Sequence, residues 1–185
     1  MVRIFLAIDL PTKLLELLEE YQNRLRSAQA DVRWVRPSNI HLTLKFMGEL
    51  PESDVVKVVE TCKDVCRGEG AFSLNLEGTG AFPNQRRPRV LWVGLAGDAG
   101  RLSGLQGRME QALGKVGFPA EGRAFSPHLT IGRFRSERNL AKLLEIASRS
   151  KIASEPFPVE EVLIYESRLT PQGPQYTVLA KCTLG

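Results

Sequence analysis

Apolar and polar positions alternate over residues 2–9, with Ile4, Leu6 and Ile8 on one side, which predicts a strand. Pro11 suits the first turn of a helix. From there to about Ser27 the spacing of Leu14, Leu18, Tyr21 and Leu25 marks a single helical face. Residues 32–35 read as a short strand, ended by Pro37, Ser38 and Asn39, and residues 41–47 as the next one. Helical spacing returns over 52–67 through Val55, Val58 or Val59, Cys62, and Val65 or Cys66, with Gly68 as its C-cap. Residues 72–76 alternate, 78–83 carry the glycines and proline of a loop, and 90–95 form the continuous apolar run of an interior strand. Leu102, Leu105, Met109, Leu113 and Val116 mark a third helix, residues 128–134 a strand, and Leu140, Leu143, Leu144 and Ala147 a fourth helix. Residues 162–165 and 176–182 close the chain as two strands, with Pro171, Gly173 and Pro174 between them. Helices and strands interleave through short, hairpin-like connections, which predicts an α+β fold on antiparallel or mixed sheets and not a doubly wound one.

At 185 residues the chain is the size of one domain or of two tightly joined lobes. Its 43% hydrophobic and 25% charged residues argue against disorder, collagen and coiled coil. No apolar run approaches the roughly 20 residues of a membrane span, and the opening segment meets Asp9 and Pro11 too soon for a signal peptide. Cys62, Cys66 and Cys182, without a secretion signal, predict reduced thiols and a cytoplasmic protein. Cys62 and Cys66 stand four apart on a helix and read as core residues, because too few other soft ligands accompany them for a metal site. The net charge of +4 permits a polyanionic partner without requiring one. Arg86, Arg87 and Arg89 cluster, as do Arg133, Arg135 and Arg138. They read equally as solvated loop residues and as guides for a nucleic-acid backbone.

The chain has only two histidines, and they open near-identical tetrapeptides: His41-Leu42-Thr43-Leu44 and His128-Leu129-Thr130-Ile131, 87 positions apart. Thr occupies 8 of 185 positions, so finding it two residues after both histidines has a chance of roughly 0.2%. A shift of 87 also carries strand 2–9 onto 89–96, the helix starting at Pro11 onto the segment starting at Asp98, 52–66 onto 139–153, and Arg36 onto Arg123. The pattern reads as a duplicated unit, expected to give one two-lobed domain over residues 1–185 with halves related by a pseudo-twofold axis.

Residues i and i+2 of a strand share a face. Each H-x-T-x motif therefore presents one imidazole and one hydroxyl to one side, with its apolar residues turned to the core. Two histidines suit acid–base work near neutral pH: one takes a proton from water, the other gives one to a leaving oxygen. Threonine hydroxyls can hold an anion between them. A phosphodiester fits this set, and the chemistry calls for neither metal nor cofactor. No G-x-S-x-G elbow, Walker loop or H-E-x-x-H motif occurs, and a Ser/His/Asp triad would leave the repeated threonines unexplained.

Residues 3–11, 34–48, 81–83, 88–94 and 125–133, which include both motifs and their flanks, carry a wider likeness. Over nearly its whole length the chain resembles the two-histidine phosphoesterases, and within them the RNA 2′,3′-cyclic phosphodiesterases of the 2′–5′ RNA ligase family. The resemblance implies a bilobal α+β fold with helices outside and a cleft between two sheets. It implies hydrolysis of RNA 2′,3′-cyclic phosphate ends to 2′-phosphates, with weak reversible 2′–5′ ligation. By the same resemblance His41 donates a proton to the leaving O3′, His128 accepts one from water, and Thr43 and Thr130 hold the phosphate. The residues alone do not divide the two histidine roles. Arg133, five after His128, is a candidate phosphate contact only if the strand bends near Gly132, since a regular strand turns it away. Phe46, five after His41, reads as core. Phe82 and Phe125 flank cleft loops and read first as core, second as platforms for a base. The expected partner is an RNA end; no protein partner or membrane is called for, and the chain is read as a monomer. Two alternatives stand beside this reading: a non-catalytic module that binds RNA ends, and a cyclic phosphodiesterase for a small nucleotide.

Overall fold

Pro11 and Pro51 stand immediately before the first two helices, where a fixed φ and a missing N–H cost the helix nothing. The computed structural model describes residues 1–185. In chain order the elements are β1 (Val2–Ile8), α1 (Thr12–Arg26), β2 (Val32–Trp34), a single 3₁₀ turn (Pro37–Asn39), β3 (Leu42–Leu50), α2 (Glu52–Arg67) and β4 (Phe72–Phe82). They continue with β5 (Val90–Gly97), α3 (Ala99–Lys115), β6 (His128–Phe134), α4 (Leu140–Arg149), β7 (Phe157–Val159), β8 (Glu161–Thr170) and β9 (Gly173–Thr183). The strands form a four-stranded sheet in the order β3-β1-β8-β9 and a five-stranded sheet in the order β2-β6-β5-β4-β7. Every pairing is antiparallel, which is the expected α+β architecture.

The apolar stripes predicted for the helices face inward. Leu14, Leu18, Tyr21 and Leu25 of α1, Cys62 and Cys66 of α2, and Leu102, Leu105, Met109 and Leu113 of α3 join one continuous core. Cys182 of β9 lies in the same core, and all three cysteines are free thiols. Helices α2 and α3 pack on each other, α2 against β8 and β9 and α3 against β3. Helix α1 lies on the five-stranded sheet, where Tyr21 Oη and Thr79 Oγ1 share a hydrogen bond of 2.6 Å. Strand β1 is central in its sheet and buried on both faces: Ile4, Leu6 and Ile8 enter the main core, while Phe5 and Ala7 meet Leu163 and Tyr165 on the other face.

The structure overturns two expectations, at residues 78–83 and at Gly173 and Pro174. The glycine-rich stretch 78–83 is not a loop, because β4 runs to Phe82. Its register shifts between Leu76 and Thr79, where Gly78 takes a φ of 76°. Gly80 then lies flat under the Trp92 ring, where an added Cβ would stand 2.2 Å from the indole. These glycines serve a bulge and a close approach within a strand. Gly68 is the C-cap of α2, as expected, and holds a φ of −88°. Gly173 and Pro174 belong to β9. A strand not expected from the sequence, β7, carries Pro158 on a sheet edge, where a proline is tolerated, and its three residues are too few for a periodic signal.

Candidate active site

His41 stands immediately before β3, and His128 opens β6. Each strand then does the same thing. In β3 the register against β1 runs Ala7↔Thr43 and Leu6↔Lys45, leaving Leu44 unpaired. In β6 the register against β5 runs Trp92↔Thr130 and Leu91↔Gly132, leaving Ile131 unpaired. A bulge that adds one residue reverses the alternation beyond it. The fifth residue after each histidine therefore returns to the histidine's own face. That residue is Arg133 in β6, opposite Val90, and Phe46 in β3, opposite Phe5.

Buried glutamines hold both bulges. Gln22 of α1 is fully buried and donates Nε2–H bonds of 2.8 Å to the carbonyls of Ile131 and Val35. Gln106 of α3 donates to the carbonyl of Leu44 at 3.4 Å. The Ile131 carbonyl also accepts the Val35 backbone N–H at 3.0 Å, so Gln22 ties the bulge to the end of β2 and satisfies the half-buried Val35 carbonyl.

His41 lies in an aromatic nest. Its ring stacks on Phe5 with centroids 4.8 Å apart and meets Tyr176 edge-on at 5.3 Å. Tyr165, on the same face, stacks on Phe5 and donates its hydroxyl to Asp9 Oδ2 at 2.6 Å. Burial pushes the His41 pKa below its ordinary value; the Asn39 carbonyl and the Asp9 carboxylate act against that shift. Burial also raises the Tyr176 hydroxyl, opposed by the positive charges of Arg133 and Arg3. Arg133 of one sheet thus exerts its charge on the residue that flanks His41 in the other.

His128 meets Phe82 edge-on at 4.9 Å, and Phe82 leans on Trp92 at 5.2 Å. Its Nδ1 lies 2.7 Å from the Ser126 carbonyl oxygen. A carbonyl only accepts, so Nδ1 carries the hydrogen, and in the neutral ring Nε2 is left as the acceptor.

The loop between α3 and β6, which leads into His128, is fastened to β3. Lys45 is 3% exposed; its ammonium donates to Glu110 Oε1 at 2.9 Å, Glu110 Oε2 at 2.8 Å and the Pro119 carbonyl at 3.0 Å. Glu121 of that loop accepts the Phe46 backbone N–H at 3.1 Å, covering part of the open edge of β3.

A regular strand would turn Arg133 away from His128; the Ile131 bulge brings it onto the histidine's face. Phe46 was expected in the core, and that is wrong: it is 62% exposed, with its ring 5.9 Å from Phe5, because the Leu44 bulge turns it outward. Phe125 packs against the main core, whereas Phe82 touches His128. Phe5, Asp9, Tyr165 and Tyr176 were missed. For Phe5 a signal existed, since the opening strand is apolar on both faces.

The architecture and the twin bulged strands define a two-sheet α+β protein with a histidine and a threonine presented on each sheet. A sequence model of the family described as LigT like Phosphoesterase matches residues 8–92 and, a second time, residues 93–176: the chain belongs to the LigT-like phosphoesterases. An RNA 2′,3′-cyclic phosphodiesterase of Methanothermobacter thermautotrophicus is 39% identical over 177 residues, covering 95% of both chains. Its namesake from Thermotoga maritima is 35% identical over 183 residues, covering 98% of this chain and 95% of its own. Among solved structures, TT0787 of Thermus thermophilus matches with a TM-score of 0.81 at 29% identity, covering 98% of this chain and 97% of its own. E. coli LigT complexed with 3′-AMP matches with a TM-score of 0.80 at 25% identity, covering 99% and 98%.

Proposed function

We propose that this chain hydrolyses RNA 2′,3′-cyclic phosphate ends to 2′-phosphates by metal-independent acid–base catalysis, acting as a cytoplasmic monomer. The observation that carries the reading is the pair of H-x-T strands, each bulged after its threonine so that histidine, threonine and the fifth residue share one face. The curated relatives named for this reaction support the substrate class.

In the proposed reaction the phosphate lies between Thr43 and Thr130, whose hydroxyls donate to its non-bridging oxygens. His128 Nε2, the acceptor of the neutral ring, takes a proton from the attacking water. The new P–O bond forms as the P–O3′ bond breaks, and protonated His41 delivers its proton to O3′. The products are a 2′-phosphate and a free 3′-hydroxyl, and each histidine ends in the other's starting protonation state. Burial makes His41 the stronger acid of its ordinary range, which suits a donor, and the phosphate anion favours its charged form on binding. Arg133 adds positive charge on the phosphate. Phe46, exposed on the His41 face, is the platform for the terminal base, and Phe82 borders the other side. With a 5′-hydroxyl in place of water as the nucleophile, the same steps give a 2′–5′ linkage, a minor product in water.

We also propose that the two halves descend from one duplicated unit. A shift of 87 places Thr12–Arg26 on 99–113, inside Ala99–Lys115, and the unpaired bulge residue Leu44 on Ile131. The family model's double match supports the same view.

The test is to incubate the protein, with chelator present, with an RNA ending in a 2′,3′-cyclic phosphate and to identify the product isomer, with His41→Ala and His128→Ala in parallel. The expected result is a 2′-phosphate from the wild type and loss of product in both variants, by about 10²–10⁴-fold in rate. Tight binding of that RNA without product would replace this reading with a binding module. Loss of activity with chelator would overturn the metal-free mechanism.

A further inference from the structure

An RNA strand carries one more phosphodiester at the 5′ side of its terminal nucleotide, and the five-stranded sheet has a second cation, beside Arg133, that the proposed reaction does not use. Strand β2 pairs with β6 so that Arg33 stands directly opposite Arg133. Residues opposed across an antiparallel pair share a face, with Cβ atoms about 4.5–5.5 Å apart. Val32 and Trp34, on either side of Arg33, pack against the core, as does Phe134. Arg33 therefore emerges on the opposite face, the one that carries Thr130 and Arg133. Both arginines are exposed, and neither takes part in any ion pair of the fold. The acid nearest in sequence, Asp31, accepts a hydrogen bond of 2.9 Å from the Ser136 hydroxyl.

Like charges opposed on a ladder repel each other, and neither arginine is ion-paired with an acid. Two guanidinium groups side by side, each with free donors, suit two successive phosphates of one strand, Arg133 the cyclic one and Arg33 the next. Arg133 exerts its charge on Tyr176, beside His41. Arg33 lies on the outermost strand, about 4.8 Å farther out, so the two arginines do not serve one oxygen.

We propose that Arg33, beside Arg133, forms a subsite for the phosphodiester that joins the terminal nucleotide to its 5′ neighbour. The cleft then selects an RNA strand over a lone cyclic nucleotide. The inference rests on the proposed reaction, which fixes the cyclic phosphate at the two histidines.

The test compares wild type, Arg33→Gln and Arg33→Lys on three substrates: a 2′,3′-cyclic mononucleotide, a dinucleotide ending in the same group, and that dinucleotide with its internal linkage replaced by an uncharged methylphosphonate. Wild type is expected to prefer the charged dinucleotide over the methylphosphonate by about tenfold in kcat/KM, with the difference carried by KM. Arg33→Gln erases that preference, and Arg33→Lys keeps most of it. The salt dependence of 1/KM for the charged dinucleotide becomes shallower in Arg33→Gln, by about 0.7 in log–log slope. Because wild type alone compares charged with neutral linkages, the inference is tested even if Arg33→Gln folds poorly. A wild type that turns over the substrates without distinguishing the linkages overturns the subsite alone, as does Arg33→Gln with an undiminished preference. A wild type that hydrolyses none of the three overturns the reaction, and the subsite with it.

Discussion

Replacing Glu110 with leucine would leave Lys45 in the interior with one of its three hydrogen bonds. In the native fold the Lys45 ammonium uses every N–H it has: two on the Glu110 carboxylate, at 2.8 and 2.9 Å, and one on the Pro119 carbonyl at 3.0 Å. The lysine is 3% exposed and the glutamate 16%, so water replaces little of what is lost. Hydrogen bonds to charged groups contribute about 1.5–3 kcal/mol each, and breaking one side of a buried ion pair costs about 3–5 kcal/mol. The bonds that Glu110 accepts from Gln106 Nε2 and the Glu121 N–H are both 3.3 Å and add little. Glu110→Leu should therefore destabilise the fold by about 3–5 kcal/mol, which for a domain of this size lowers Tm by roughly 6–20 °C. Urea unfolding with linear extrapolation, alongside a thermal melt, measures both. The double variant Lys45→Met with Glu110→Leu should recover most of the loss, because no charge is then left buried. A single variant costing under about 1 kcal/mol, or a double variant no better than the single, would refute this account of the pair.

Three further outcomes are expected. With His41 held below its ordinary pKa by burial, its protonated donor form disappears as pH rises through that lowered value. The alkaline limb of kcat/KM should thus lie below about 6.5, and Asp9→Asn, which removes an opposing influence, should move it further to acid. A limb above that value argues against His41 as the donor. The same lowered pKa makes the unfolded chain bind the proton more readily, so this group's contribution to stability is present above about 6.5 and lost as pH falls through the folded value. Phe46→Ala should raise KM for RNA ends about 5- to 100-fold, equivalent to ~1–3 kcal/mol of lost stacking, with little change in Tm because the ring is largely exposed; an unchanged KM removes Phe46 as the base platform. Gln22→Met preserves bulk but leaves the Val35 carbonyl without its side-chain donor, so a stability loss of about 1–3 kcal/mol is expected. It should be accompanied by weaker phosphate binding through a misaimed Arg133, and binding identical to wild type would show that the bulge stands without Gln22.

The elements that carry strong periodicity were legible in the sequence. Residues 52–67 and 128–134 were read with the bounds that α2 and β6 have. Alternation and helical spacing are local properties, set by which face meets the core. What was not legible depends on register. An unpaired Leu44 or Ile131 looks like any other apolar strand residue, yet it decides whether Phe46 and Arg133 face the core or the histidines. Arg33 gave no signal of its own, since its meaning lies in standing opposite Arg133. The glycines around Gly80 looked like a loop because nothing local announces a tryptophan from the neighbouring strand. The two histidines and their threonines stood out because two copies of one pattern are visible without knowing where either lies. What separates the two in the structure is the burial of His41 among Phe5 and Tyr176, on which the proposed division of roles rests.

Strand β1 lies between β3 and β8 in its sheet, and this arrangement constrains how the protein can be made. The segment Ile4-Phe5-Leu6-Ala7-Ile8 leaves the ribosome well before Glu161–Thr170, yet one of its edges has no partner until that strand has been translated. At ~5–20 residues per second that delay is on the order of ten to thirty seconds. Throughout it the nascent chain exposes an apolar strand with an open hydrogen-bonding edge, the combination most prone to pair with another chain. The strand on which His41 stacks is thus the one whose solubility during synthesis depends on Glu161–Thr170, translated much later. A premature stop anywhere before β8 would release a fragment with that edge still open.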